Sequence, residues 1–411
     1  MKKLLAAVLC LCLMLPLAAL AADEPIELNF WIRTSDAFLE EYVGQYMQEH
    51  PNVKVNVSQV GSGYGELRTK FNLGITSGEL PDLSIAGFSG MGVLYDADAI
   101  VDVSKADQAG ALSDIVETFA SRCRYKDAVI AVPYQVSCPV MYYNKTLLEK
   151  LGATVPQTFT ELMATAQKAV EKDASGTTKV YGFNTAADIN WYVCAMIYNF
   201  GGSFFDENGN IKIDTDTTKA LYTWWADMVQ KGIMPANQHE TAQDDFSNGT
   251  LLCYFDSCAA YAQIQKNTGD KFDVGVAFFP GEESQSVNLG GNGIVVFTHD
   301  EKKQKAALEL ISYLLAPERM EVIVDKGFLP VTNAMLNSEY TAGKIAADEN
   351  MRFIYDQVQN ISIFIQHPAY AKTTGELTAI ASEIEADSSA DIMALLEESQ
   401  AVIDEFMSSY Q

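Results

Sequence analysis

Apolar and polar residues alternate from the start of the non-leader sequence. Ile26-Glu27-Leu28-Asn29-Phe30-Trp31 has the period of two of a half-buried strand. From Ala37 to His50 the apolar residues Phe38, Tyr42, Tyr46 and Met47 fall at helical spacing, and Pro51 ends that run. Val53 to Val57 predicts a second strand, Gly65 to Ser77 a second helix closed by Gly78 and Pro81, and Leu83 to Ala86 a short buried strand. Strand, helix, strand, helix, strand predicts a parallel sheet. Further on, Thr158 and Glu161 form a capping box before a helix to about Lys172. A strand is expected at Tyr181 to Phe183 and a helix from Trp191 to Phe200. Thr217 to Lys231 is a helix whose Leu221, Trp224, Trp225 and Met228 read as a core stripe. Strands follow at Leu251 to Phe255, Val274 to Phe278 and Ile294 to Phe297. The last third is helical, at Lys302 to Leu315, Pro317 to Asp325, Asp348 to Gln359 and Thr374 to Ser408.

One stretch departs from this pattern. Val132 to Asn144 is apolar and strand-like, yet Pro133 and Pro139 interrupt it where ladder donors would be missing. This is the signature of an extended segment that changes partners as it passes from one lobe to another. Gln135 and Ser137 supply polar side chains at the crossing, and Tyr142-Tyr143 belong to the sheet of the second lobe.

Composition narrows the class. Met1-Lys2-Lys3, the apolar Leu4 to Leu20 and Ala19-Leu20-Ala21 have the layout of a cleaved secretory leader over residues 1–21, which places the mature chain in the periplasm or outside the cell. Roughly 390 mature residues exceed one ordinary core, so two lobes are expected. The formal charge is -26, spread along the chain, which makes nucleic acid a poor partner. Cys123, Cys138, Cys194, Cys253 and Cys258 remain after the leader; they are expected to be mainly buried thiols, with a Cys253–Cys258 bridge left open. No spacing of cysteine or histidine spells a metal site, and no cofactor motif occurs. Asp206 to Asn210 resembles half a calcium loop, but Ile211 stands where glycine is required, and Asn208-Gly209 reads better as a hairpin turn.

Ligands collect at the carboxyl ends of parallel strands. Three loops qualify, Trp31 to Asp36, Gly61 to Tyr64 and Gly87 to Gly92, and each offers an aromatic: Trp31, Tyr64 and Phe88. Gly61 to Gly65 lacks the spacing of a phosphate loop.

Three blocks together resemble the extracellular solute-binding proteins of ABC importers, in the maltose-binding and glycerol-3-phosphate-binding group. The first is Phe30-Trp31 with Glu49-His50-Pro51-Asn52-Val53-Lys54-Val55, and the second runs from Val132-Pro133-Tyr134 to Tyr142-Tyr143-Asn144-Lys145. The third and most specific is Gly290-Gly291-Asn292-Gly293, then Ala307 to Leu315, Ala316-Pro317-Glu318 and Lys326-Gly327-Phe328-Leu329-Pro330-Val331. The resemblance implies an α/β fold of the two-lobed periplasmic-binding-protein type. The lobes would comprise residues 22–135 and 292–332 for the first, and 136–291 and 333–411 for the second. It further implies a monomer that closes on a small-molecule ligand, is read by the importer's transmembrane subunits, and catalyses nothing.

Carbohydrate is the expected ligand class, because a sugar offers apolar faces to aromatic platforms and a rim of hydroxyls to directional partners. Trp31, Tyr64, Tyr134, Trp191 and Phe255 are candidate platforms; Asp36, Gln135, Ser137, Asp256, Ser257 and Asn292 are candidate polar contacts. Tyr64, Ser137, Trp191, Ser257 and Gly291 fall where the phosphate-binding relatives match this chain in motif. Phe328 replaces their tyrosine, and between Pro368 and Asp387 there is Lys372 but no arginine, which disfavours glycerol 3-phosphate. His367-Pro368-Ala369-Tyr370 looks more like sugar binders and adds Tyr370. Two other readings are an exported glycoside hydrolase or lyase using Asp36 and Asp256 across the cleft, and a sensor that docks on a chemoreceptor.

Overall fold

The computed structural model describes residues 25–363, 365 and 367–410; the leader expected at residues 1–21 lies outside them. In the first half, β1 (Ile26–Ile32), α1 (Leu39–Glu49), β2 (Val53–Gln59), α2 (Tyr64–Ser77) and β3 (Leu83–Gly87) follow one another as the periodicity predicts. α1 buries Leu39, Val43 and Tyr46, one stripe of its surface, and α2 ends at Gly78 in the left-handed conformation. β1 pairs in parallel with both β2 and β3.

The predicted crossing is two strands, β4 (Val132–Ser137) and β5 (Pro139–Asn144), with Cys138 alone between them. β4 belongs to the first sheet and β5 to the second. In the second lobe, the capping box precedes α3 (Phe159–Ala169): Glu161 N–H donates to Thr158 Oγ1 at 3.0 Å, while its carboxylate accepts from Gln157 N–H at 2.8 Å. There follow β6 (Thr178–Thr185), α4 (Ile189–Asn199), α5 (Asp216–Gln230), β7 (Leu251–Ser257) and β8 (Val274–Ala277). The second sheet runs β8, β5, β7, β6 and a two-residue edge strand at Glu171–Lys172.

The chain then returns through β9 (Gly290–Val296), which lies between β3 and β4 and is antiparallel to both. The first sheet is therefore parallel only over its first three strands. β9 begins four residues before the strand predicted at Ile294. Three glycines among its first four residues leave Asn292 as the one side chain there, too little to show periodicity, but the backbone pairs with β4 from Gly290 onward. Gly291 takes φ +93°, and a Cβ there would lie 1.9 Å from the Gln135 carbonyl oxygen, so this position requires glycine.

α6 (Glu301–Leu314) packs on β1 and α1, and α7 (Pro317–Asp325) starts at its proline. The closing helices serve the second lobe: α8 (Glu349–Asp356) lies on β8, while α9 (Tyr370–Ala386) packs on α4 and α5 and α10 (Ile392–Tyr410) on α9 and α5. Where one helix was expected from Thr374 to Ser408, Asp387 and Asp391 break the run. Asp391 accepts the Met393 and Ala394 N–H groups and starts α10 afresh. Glu385 clamps α9 to the lobe by accepting from Trp225 Nε1 at 2.8 Å, Asn237 N–H at 2.5 Å and the His239 ring, 2.9 Å away. Trp224 and Trp225 are core, as their spacing predicts.

All five described cysteines are buried free thiols. The Cys253–Cys258 bridge left open above is absent. Cys258 instead neighbours Cys138, whose N–H points at its Sγ 3.4 Å away.

Candidate functional site

A cavity of about 410 Å³ opens between the two sheets, beside the crossing strands. Its first wall comes from the carboxyl ends of β1 and β3 and the start of α2: Arg33, Tyr64, Arg68, Phe71 and Phe88. Its second wall comes from the second lobe, with Asp188, Asn190, Trp191, Ser257, Tyr370 and Thr374. Ser137, Leu289, Gly290 and Gly291 form the floor, and Phe328 adds an apolar edge.

The first wall is held by a buried polar network. Arg33 forks onto Asp36, Nε to Oδ2 at 2.8 Å and Nη2 to Oδ1 at 3.0 Å, and Nη2 also donates to Gln135 Oε1 at 3.1 Å. Gln135 Nε2 returns to Asp36 Oδ1 at 3.1 Å. Asn292 lies directly opposite Gln135 in the ladder, and its Nδ2 donates to Gln135 Oε1 and to Tyr64 Oη. The Arg33 guanidinium carbon sits 4.1 Å from the centre of the Tyr64 ring. One chain of contacts thus runs from Asp36 through Gln135 and Asn292 to the Tyr64 hydroxyl and fixes that ring at the cavity.

Of the residues expected from sequence, Tyr64, Phe88, Ser137, Trp191, Ser257, Gly291, Phe328 and Tyr370 line this cavity together. The other candidates stand behind it. Trp31 stacks on Phe71, ring centroids 6.2 Å apart and 6° from parallel, so Phe71 rather than Trp31 faces the cavity. Tyr134 is fully buried in the first lobe. Phe255 is packed in the second lobe's core against Phe183 and Phe279, at 4.7 and 4.4 Å between centroids. Asp36, Gln135 and Asn292 are spent on the network just described. Asp256 accepts from Ser257 N–H, Tyr254 Oη, Gln243 Nε2 and Tyr192 Oη at 2.6, 2.9, 3.2 and 3.4 Å. Burial raises its proton affinity, and those donors work against the rise.

The structure adds Arg33, Arg68, Asp188, Asn190 and Thr374, which sequence reasoning missed. Arg68 is one helical turn beyond Tyr64, so its place beside that ring was available from spacing. Asp188 and Asn190 sit three and one residues before Trp191. The Asp188 carboxyl is pushed above the usual carboxylate range by burial and, secondarily, by Glu240. Lys372, the cation noted near the end of the chain, is paired with Glu376 at 2.8 Å. Among the described residues, no group of histidine, cysteine and acidic side chains is placed to hold a metal ion.

Two α/β lobes around a cleft floored by crossing strands define a ligand-capture protein. Residues 41–352 match the model of the bacterial extracellular solute-binding proteins, and the chain belongs to that family. A multiple sugar-binding protein of Streptococcus mutans is 22% identical over 327 residues, 72% of each chain. UgpB from Mycobacterium tuberculosis, solved with glycerophosphocholine, shares the fold with a TM-score of 0.82 at 20% identity, over 93% of this chain and 99% of that one. An ABC substrate-binding protein from Listeria monocytogenes, solved with cycloalternan, gives 0.80 at 20% identity over 93% and 99%. Among the described residues no helix is long and apolar enough to cross a membrane.

Proposed function

We propose that this chain is the substrate-binding subunit of an ABC importer, working outside the cytoplasmic membrane as a monomer and carrying a mono- or oligosaccharide to the permease. The observation that carries this reading is the pairing of aromatic platforms from opposite lobes, Tyr64 and Trp191, on one cavity with Ser137, Asn190 and Ser257 beside them. Such a site suits the apolar faces and hydroxyl rim of a sugar. Ligand touching both walls favours the closed arrangement of the lobes over the open one. The sugar-binding relative in Streptococcus mutans and the neighbour solved with cycloalternan support the same ligand class.

Turnover has little support in the geometry. A glycoside hydrolase needs two carboxylates across the bond it breaks. Asp36 and Asp256, the pair considered from sequence, are consumed by buried hydrogen bonds, and Asp188 is the one carboxylate on the cavity among the described residues. Calorimetry against a panel of mono- and oligosaccharides, with small-angle scattering for compaction, tests the reading. At least one sugar should bind and shrink the particle without being cleaved; a panel that alters neither signal overturns it. Trp191→Ala should weaken that binding about fivefold or more while the protein stays folded, since a stacking platform contributes on the order of 1 kcal/mol beyond its area burial.

A further inference from the structure

The charge of the cavity runs against the charge of the molecule. The chain carries a net -26 and has six arginines, of which two, Arg33 and Arg68, line the cleft against a single carboxylate, Asp188. Arg33 is already matched by its fork onto Asp36. Arg68 is different: among the described residues it makes no hydrogen bond and no ion pair, although it belongs to the cavity wall. Asp188 does not bond to it, and burial favours the neutral form of that carboxyl. Arg68 is an exposed residue on the cavity wall, and its guanidinium has no counter-charge from any side chain among the described residues.

Its surroundings are donors. Tyr370 lines the same cavity from the second lobe; burial holds its hydroxyl protonated, and Ser89 and the Arg68 charge act on that hydroxyl in the opposite sense. Thr374, one turn further along α9, lines the cavity too, with its hydroxyl donating to the Ala371 carbonyl at 3.1 Å. A guanidinium on the cleft wall with the Ser89 and Tyr370 side chains beside it matches the oxygens of a carboxylate or phosphate, which accept a forked pair of N–H bonds.

We propose that Arg68, with Ser89, Tyr370 and Thr374, forms a subsite for an anionic group carried by the ligand, so that the saccharide taken up is an acidic one. This rests on the carbohydrate reading above, and the test separates the two. Calorimetry on the full mature chain would compare matched probes, glucose with glucuronate and glucose 6-phosphate, and trigalactose with trigalacturonate, alongside glycerol 3-phosphate and inorganic phosphate. The same series would be run on Arg68→Gln and Arg68→Lys, with thermal melts to show that both variants are folded.

The expected result is that an acidic saccharide binds at least tenfold tighter than its neutral partner at low salt. Arg68→Gln should abolish that preference, so that the acidic saccharide binds no tighter than its neutral partner, and Arg68→Lys should restore part of it. Comparing the uronate and phosphate arms identifies which anion the subsite takes. Neutral saccharides binding as tightly as acidic ones, or a preference that survives Arg68→Gln, overturns the subsite and leaves the carbohydrate reading standing. Arg68-dependent binding of glycerol 3-phosphate with no saccharide bound supports the subsite and overturns the carbohydrate reading. Binding of none of these probes overturns both.

Discussion

Gly290 and Trp191 are in close apposition: a Cβ on Gly290 would stand 2.3 Å from Cζ2 of the indole and 2.9 Å from Ser137 Oγ. The platform of the second lobe thus rests on bare backbone of the strand that floors the cavity. Gly290→Ala would force the indole off this seat. The expected outcome is ligand affinity reduced about five- to tenfold by calorimetry, on the order of 1 kcal/mol, with the melting temperature shifted by only a few degrees. Unchanged affinity would show that the ring's seat does not matter.

Asp36 is expected to matter for stability more than its distance from the ligand suggests. Asp36→Ala leaves the Arg33 guanidinium, largely buried, without its counter-charge. Breaking such a pair costs about 3–5 kcal/mol, to be read from urea unfolding midpoints. Because Gln135 and Asn292 link the same network to Tyr64, affinity should fall in the folded fraction as well.

The Asp188 carboxyl has its proton affinity raised by burial and by Glu240. A raised carboxyl is no burden at low pH, where folded and unfolded chains both hold the proton. The burden grows as pH rises above the unfolded-state value, where the unfolded chain releases its proton and the native carboxyl does not, and it is complete once pH passes the folded-state value. Asp188→Asn should therefore melt higher than the parent at neutral pH, and the gap should close as pH falls into the usual carboxylate range. A gap that stays constant down to acid pH would contradict this account.

Burial also governs the thiols. It pushes Cys194 up to about 12 and raises Cys123 and Cys253 as well, while contact with Cys258, together with burial, raises Cys138. A disulfide reagent should meet no reactive thiol in the native mature chain and five after denaturation. Rapid native labelling of any of them would refute the packing described.

Much of the fold was legible because its signals are local. Helix starts, proline stops and the period of two located the elements of the first lobe, and Pro133 and Pro139 marked the crossing. The return strand was harder, since Gly290 to Gly293 offers one side chain, Asn292, and a single side chain shows no period. Site residues divided on orientation. Asp256 and Ser257 are neighbours on β7, yet successive side chains of a strand point to opposite faces. Ser257 therefore reaches the cavity while Asp256 turns into the lobe. Nothing in composition reports that parity, nor that Trp31 would lie behind Phe71. Arg68 was legible by its helical spacing from Tyr64, whereas Lys372 near the end of the chain is paired with Glu376.

The single-residue passage at Cys138 has a mechanical consequence. β4 is bonded along one edge to β9 and along the other to Leu329, whose N–H donates to the Val136 carbonyl at 2.8 Å. Three backbone segments therefore lie side by side where the lobes meet. Such a ribbon bends readily out of its plane and resists sliding within it. Bending there would leave the pairing of Ser137 with Gly290 in place. The floor would then keep its width while the walls move, so that the spacing of the walls and not of the floor would set the length of ligand accepted.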